Sequence, residues 1–198
     1  MNRIVIASKN AGKIREIRNF LFGINVEIKS LEDFPNLPEI IEDGNTFEEN
    51  ALKKAKAVYD HTKLTTIADD SGIEVNYLNN KPGVHSKRYS GENANDVTNN
   101  ILLMDELKGV DMDDRKAKFR CFIALYNALY NGILFEGKCE GYVIDELKGD
   151  NGFGYDPLFV PTGYTKTFAE LDMVTKNKIS HRGKALTHLR EFLARIYK

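Results

Sequence analysis

The sequence has little that would attach it to a membrane, an oxidising compartment or a nucleic acid. Its two cysteines, Cys121 and Cys139, have neither the number of a disulfide scaffold nor the spacing of a zinc site. No apolar run approaches the roughly 18 residues of a membrane span, and residues 4–7 are too few for a signal-peptide core. The net charge is −1, whereas a protein that coats nucleic acid is usually basic. We therefore expect a protein of a reducing compartment, the cytoplasm, with no membrane or nucleic-acid partner.

The chain also lacks internal repeats, low-complexity segments and a proline-rich linker. Its 198 residues suit one domain, and 42% hydrophobic with 29% charged residues excludes a disordered chain. We expect a single domain that spans residues 1–198.

Hydrophobic periodicity predicts an α/β fold in which helices flank a mixed central sheet. Apolar spacing gives a β-α-β opening, and Thr46 with Glu49 matches the capping box of a second helix. Ser180 is placed to cap a last helix. Asn131 and Gly132 are typical of a hairpin turn between two long strands. The predicted strands are residues 3–7, 26–28, 65–68, 73–77, 117–127 and 133–144.

The first segment with chemistry is residues 8–13, where a strand leads into a helix. A helix N-terminus offers free N–H groups and a positive dipole end, which suit a phosphate. The residues of this segment are Ser8, Lys9, Asn10, Ala11, Gly12 and Lys13. The order of residues is not that of a Walker A loop. The plainer alternative is that Asn10 only caps the helix.

Two acidic segments are candidates for a metal or a general base. Asp69 and Asp70 follow a predicted strand, and adjacent strand side chains point to opposite faces. The plainer interpretation is a turn, because Asp, Ser71 and Gly72 are turn formers. Glu42, in the acidic run before the second helix, can supply a further carboxylate; such a run is more often a solvated loop.

Two later segments can recognise a flat ligand. In the glycine-rich residues 152–157, Phe153 offers a stacking face and Asp156 can accept from a ring N–H. Residues 176–184 concentrate cations at a predicted helix start, where the dipole favours acidic residues instead. Such a local inconsistency indicates function. The plainer alternatives are a packed loop and a solvated patch.

Taken together, these segments predict a nucleotide-binding enzyme, and in this order they resemble the inosine/xanthosine triphosphate pyrophosphatase (Ham1-like) family. The matching stretches are residues 7–13, 42–51, 68–72, 82–91, 152–157 and 180–183. The resemblance implies an elongated two-lobed fold with a substrate cleft between the lobes, and a homodimer. It implies Mg²⁺-dependent hydrolysis of ITP, dITP and XTP to the monophosphate and pyrophosphate, which removes deaminated purines from the nucleotide pool.

The resemblance also implies roles for individual residues. Glu42 and Asp70 would hold Mg²⁺, and Asp70 would be the proton acceptor, with Asp69 as the next candidate. Lys13 would act in catalysis. The remaining substrate-binding residues would be Ser8, Lys9, Asn10, Ala11, Gly12, Lys54, Ser71, Phe153, Gly154, Tyr155, Asp156, Lys176, His181 and Arg182.

Two alternatives stay open at this point. One is a Maf-like nucleotide pyrophosphatase with another base preference, against which Phe153, His181 and Arg182 argue. The other is a nucleotide-sensing module without catalysis. Mg²⁺-dependent release of pyrophosphate separates the sensor from both enzymes.

Overall fold

The computed structural model of the protein describes residues 2–197, which form two compact units. The first unit takes the chain up to Asp70, residues 121–136 and the chain from Lys184 onward. The second takes residues 71–120 and 137–183. Three strands contribute residues to both units: β3 (Thr65–Val75), β5 (Lys116–Tyr126) and β6 (Asn131–Val143).

The strands form a mixed sheet, as the sequence predicted. The other four strands are β1 (Asn2–Ile6), β2 (Val26–Ser30), β4 (Lys81–Pro82) and β7 (Phe159–Pro161). The order of the strands in the seven-stranded sheet is β2-β1-β3-β5-β6-β7, with β4 paired to β3. β1 is parallel to β2 and β3, whereas the β3–β4 and β6–β7 pairs are antiparallel.

The first unit has the predicted β-α-β opening. Helix α1 (Ala11–Leu21) connects β1 to β2, and it begins where Asn10 Oδ1 accepts the Lys13 N–H at 2.9 Å. Helix α2 (Phe47–Thr62) begins where Thr46 Oγ1 accepts the Glu49 N–H. The buried core combines strand and helix side chains: Ile4, Ile6, Ile17, Leu21, Ile67, Ile123, Leu125, Leu186, Leu189 and Leu193.

The second unit has an aromatic core and two helices of its own. They are α3 (Asp96–Glu106) and α4 (Met173–Ile179). Phe119, Phe159 and Phe168 pack together with ring centroids 4.8–5.9 Å apart. Helix α5 (His181–Ile196) begins in this unit, and Ser180 Oγ accepts the Gly183 N–H at 3.0 Å, so the predicted cap is confirmed. Gly183 is required there, because a Cβ would lie 1.8 Å from the Asn177 carbonyl oxygen. No helix in the described part of the chain is long and apolar enough to cross a membrane.

The prediction of a turn at residues 69–72 was wrong, because β3 runs through this segment without a break. Tertiary packing outweighs the turn preference of these residues. Asp69 is 1% and Asp70 9% exposed. At Gly72 the Ser86 hydroxyl lies so close that a Cβ would be 2.3 Å from its oxygen. The adjacent Ile73 N–H donates to that oxygen at 3.0 Å.

The hairpin turn was also misplaced. Asn131 and Gly132 lie inside β6. The turn is instead built by Asn127, whose Oδ1 accepts from the N–H groups of Leu129 and Tyr130 at 2.9 and 2.8 Å. An asparagine that bonds its own following backbone makes a turn without glycine. In addition, Lys176 lies on the short helix α4, so it does not belong to the start of the last helix.

Candidate active site

The start of α1 presents an open helix N-terminus. Lys9, Asn10 and Ala11 are exposed, and Ser8, Gly12 and Lys13 are half-buried. Ser8 Oγ accepts the Asn10 N–H at 3.1 Å, so the turn before the helix is fixed by its own side chain. Asn10 does cap the helix, as the plainer alternative predicted. The exposed turn nevertheless keeps the geometry that suits a phosphate.

Asp69 lies at the centre of a buried polar network. Its carboxylate pairs with the Lys13 ammonium and also accepts from the Cys121 thiol at 2.9 Å. Its backbone carbonyl accepts from Lys54 Nζ at 3.1 Å. The Asp69 side chain has no solvent exposure, whereas that of Lys13 is 16% exposed. Asp69 therefore sets the position of the lysine and is itself screened from any ligand.

Asp70 is the less constrained of the two carboxylates. One of its oxygens, Oδ2, is buried and has no hydrogen-bond partner among residues 2–197. Burial raises the pKa of Asp70 to about 6, although Lys54 and Lys13 act in the opposite direction. Asp69 and Glu42 contribute to the rise as neighbouring negative charges. A buried carboxylate with an unused oxygen and a pKa near neutrality is typical of a functional group.

Glu42 is held near the first unit's lysines by the loop before α2. Its Oε2 accepts from Lys54 Nζ at 2.7 Å. The loop is fixed by Asn50, which accepts the Gly44 N–H, and by Glu49, which accepts the Asn45 N–H. The Glu49 bond goes to the residue before Thr46, so the capping box is displaced by one position.

The carboxylates of the first unit fit a magnesium ion that completes its coordination shell with other ligands. Across residues 2–197, no three His, Cys, Asp or Glu side chains stand close enough together to hold a metal by themselves. Mg²⁺ usually takes only one or two carboxylates and completes its shell with water and phosphate oxygens. Asp70, with its unused buried oxygen, and the part-exposed Glu42 meet that need.

The second unit contains the glycine-rich segment, residues 152–157, in which one carboxylate organises the backbone. The Phe153 N–H donates to Asp156 Oδ2 at 2.8 Å, and Lys176 Nζ donates to the same oxygen at 2.7 Å. Gly152 is required beside it, since its φ is +82° and a Cβ would lie 2.1 Å from that oxygen. Tyr155 is buried, and its hydroxyl donates to the Ser86 carbonyl at 2.8 Å.

Cations surround the ring of Phe153. The Lys176 ammonium lies 5.1 Å and the Arg182 guanidinium 5.3 Å from the ring centroid. Arg182 is buried and donates to Ser71 Oγ at 2.7 Å. His181 stacks on Phe119 at 4.5 Å with nearly parallel rings. The second unit therefore places buried polar side chains around the half-buried ring of Phe153. The residues in this neighbourhood are Ser71, 153–156, Lys176, His181 and Arg182.

Known proteins resemble this chain over nearly its whole length. The sequence profile of the Ham1 family matches residues 4–192. The chain belongs to the Ham1 family. A dITP/XTP pyrophosphatase of Geobacter sulfurreducens is 50% identical over 193 residues, covering 98% of this chain and 97% of that protein. One of Desulforamulus reducens is 49% identical over 197 residues, covering 98% and 97%. A Ham1 protein structure from Coxiella burnetii has a TM-score of 0.90 at 40% identity and covers 98% of this chain and 100% of that one.

Membership of the Ham1 family confirms the resemblance and the α/β fold. The structure also reveals three residues that sequence reasoning missed. Cys121 bonds Asp69, and Asp96 and Asn100 bond the backbone of Gly154. No local motif marks them, because each is far from its partner in sequence and is defined only by the fold.

The raised pKa of Asp70 predicts that this carboxylate costs the Ham1 protein stability. For an acid whose folded pKa is raised, the folded state is favoured at low pH. That contribution is lost as the pH rises from the ordinary 3.8 to about 6. Asp70→Asn removes the charge at nearly constant shape. In metal-free buffer at pH 8 the variant should be more stable than wild type by up to about 3 kcal/mol, and at pH 3.5 the gain should vanish. Urea unfolding at the two pH values measures it.

The control for this prediction is Asp43→Asn. Asp43 is exposed, and a hydrogen bond from Lys53 lowers its pKa, so its amide variant should gain no stability at pH 8. An Asp70→Asn protein that is less stable than wild type at pH 8 would contradict the account of Asp70.

Proposed function

We propose that this Ham1 protein hydrolyses ITP, dITP and XTP to the nucleoside monophosphate and pyrophosphate and so removes deaminated purines from the nucleotide pool. The observation that carries the proposal is Asp70, a buried carboxylate with an unused oxygen beside Lys13 and Lys54. The names of the relatives at about 50% identity support the same activity. The first unit supplies cations that suit phosphates, and the second unit supplies an aromatic ring and donors that suit a purine.

Asp70 is the residue we assign as the proton acceptor. Its unused buried oxygen can accept a hydrogen bond from a water molecule, and a bound Mg²⁺ would keep the carboxylate in its ionised, proton-accepting form. Asp69 is less suited, because its carboxylate is fully buried and engaged by Lys13 and Cys121. Asp70 would orient a water molecule for attack on the α-phosphorus and accept its proton, so that pyrophosphate leaves.

The lysines and the α1 turn would bind the phosphates. Lys13 is oriented by Asp69 and partly exposed, so its ammonium can neutralise a phosphate oxygen without further ordering. Lys54 is positioned by Glu42 and by the Asp69 carbonyl. The N–H groups of Ala11 and Gly12, in the first turn of α1, would complete the phosphate ligands.

We propose Mg²⁺ as the cofactor, held by Glu42 and Asp70. When bound, it would neutralise phosphate charge and lower the pKa of its water ligands. A homodimer and a cytoplasmic location are proposed on the resemblance alone.

Base selection is assigned to residues 152–157, which we call the purine loop, and to the start of α5. Hypoxanthine and xanthine carry a 6-oxo acceptor where adenine carries an amino donor. Arg182 is a buried donor near Phe153, and its guanidinium, which has five N–H donors, can donate to a 6-oxo oxygen but not to an adenine amino group. Phe153 would stack on the ring, and Asp156, Lys176 and His181 would line its edge.

The proposed function predicts a selective, metal-dependent release of pyrophosphate. The purified protein is incubated with ITP, dITP, XTP, ATP or GTP, with Mg²⁺ or with EDTA, and both products are quantified. We expect equal amounts of monophosphate and pyrophosphate from the first three substrates. Their kcat/KM should exceed that of ATP by at least about a hundredfold, and GTP, which shares the 6-oxo group, should be rejected through its 2-amino group. Turnover of ordinary nucleotides instead would favour the Maf-like alternative, and no turnover would favour the sensor.

The assignment of Asp70 predicts how the two aspartates differ. Asp70→Asn should lower kcat for ITP by about 10²–10⁴ with folding intact, because a general base contributes that much. Asp69→Asn should mainly raise KM, because its function is to orient Lys13. Asp43→Asn serves as the charge-matched control and should retain wild-type kinetics. If the Asp70 variant kept near-full activity and the Asp69 variant did not, Asp69 would be the base.

A further inference from the structure

Helix α3 holds Gly154 of the purine loop by both of its backbone polar groups. The Gly154 N–H donates to Asp96 Oδ2 at 2.7 Å. The Gly154 carbonyl accepts from Asn100 Nδ2 at 2.8 Å. Gly154 has a φ of +62°, and these two side chains fix its peptide groups where no strand or helix does.

These hydrogen bonds also restrict the backbone of Phe153, the residue before Gly154. The Phe153 N–H is bonded to Asp156 Oδ2 and the following N–H, of Gly154, to Asp96 Oδ2. Because the peptide groups on both sides of its Cα are held by carboxylates, the direction in which the Phe153 side chain leaves the backbone is set. Hydrogen bonds to charged acceptors are stronger than those between neutral groups.

Asn100 occupies a position that stability alone would give to an apolar residue. It is 4% exposed, and its Oδ1 has no partner within residues 2–197. Its Nδ2 also donates to the Asp96 carbonyl at 2.7 Å, so turning the amide over would set its oxygen against two carbonyl oxygens. A buried amide satisfied on one side only is destabilising, and such residues are retained where they serve function.

We propose that Asp96 and Asn100 are positioning residues for purine binding, which hold Phe153 in its stacking direction through Gly154. The inference rests on the proposed function, since it requires that Phe153 contacts the base. Neither residue needs to touch the substrate. Their effect should therefore appear in substrate affinity and in the mobility of the loop, with the chemical step unchanged.

The test combines three loss variants with one rescue and one control. Asp96→Ala removes the acceptor, Asn100→Leu removes the donor at similar volume, and a double variant removes both. Asp96→Asn keeps an acceptor oxygen without the charge. Asp105→Ala, an exposed aspartate on the last turn of the same helix, is the control.

Two measurements are made on the same proteins. The first is amide hydrogen exchange of residues 150–157 in the ligand-free protein, and the second is the steady-state kinetics of ITP hydrolysis. We expect faster exchange and a KM raised about tenfold in each single-loss variant, with kcat within about twofold of wild type. Asp96→Asn and Asp105→Ala should resemble wild type in both readouts, and Asn100→Leu should be as stable to urea as wild type or more so.

The outcomes separate this inference from the proposed function. If the loss variants matched the control in exchange and KM, or if exchange rose while KM did not, the positioning role would be wrong. A loss of kcat equal to the loss of kcat/KM would also overturn it. Failure of the wild-type protein to release pyrophosphate from ITP would instead refute the proposed function. Asn100→Leu adds no polar group to the core. If Asp96→Ala folds poorly, hydrogen exchange and KM can therefore still be measured on Asn100→Leu.

Discussion

Two adjacent carboxylates buried in one strand constrain the first unit of this protein. Removing an ionised carboxylate from water is expensive unless a partner compensates for it. Asp69 has such partners in Lys13 and the Cys121 thiol. Asp70, its neighbour, keeps an oxygen without a partner in the described structure and has a pKa shifted toward neutrality. The fold thus gives one aspartate charged and hydrogen-bonding partners and leaves the next with an unused oxygen, which is why we assign the chemistry to Asp70.

The second unit uses a buried carboxylate in a different way. Asp156 is paired with Lys176, and its carboxylate also accepts the Phe153 N–H, which organises the backbone of the purine loop. The ion pair and the two residues of α3 fix a glycine-rich segment that would otherwise be free to move. Rigidity of this loop matters for the proposed purine stacking, because a ring whose orientation is set before binding loses less conformational entropy when the purine binds. Recognition in this account depends as much on the residues that hold Phe153 as on Phe153 itself.

The sequence predicted those parts of the site that local chemistry determines. Asn10 and Ser180 cap their helices as expected, and the opposite environments of Asp69 and Asp70 follow from strand alternation. It did not predict that β3 continues through residues 69–72, because that depends on the distant Ser86 packed against Gly72. The contacts of Cys121, Asp96 and Asn100 were not predicted from the sequence either. Each arises from contacts between residues more than 50 positions apart, which no local pattern records.

The central claim is that Asp70 directs water to the α-phosphorus, so that one bond breaks and pyrophosphate leaves intact. Hydrolysis of ITP in ¹⁸O-labelled water, followed by mass spectrometry of both products, tests it most directly. The account predicts one labelled oxygen in the monophosphate and none in the pyrophosphate. Label in the pyrophosphate, or in free phosphate, would place the attack on another phosphorus and contradict the account.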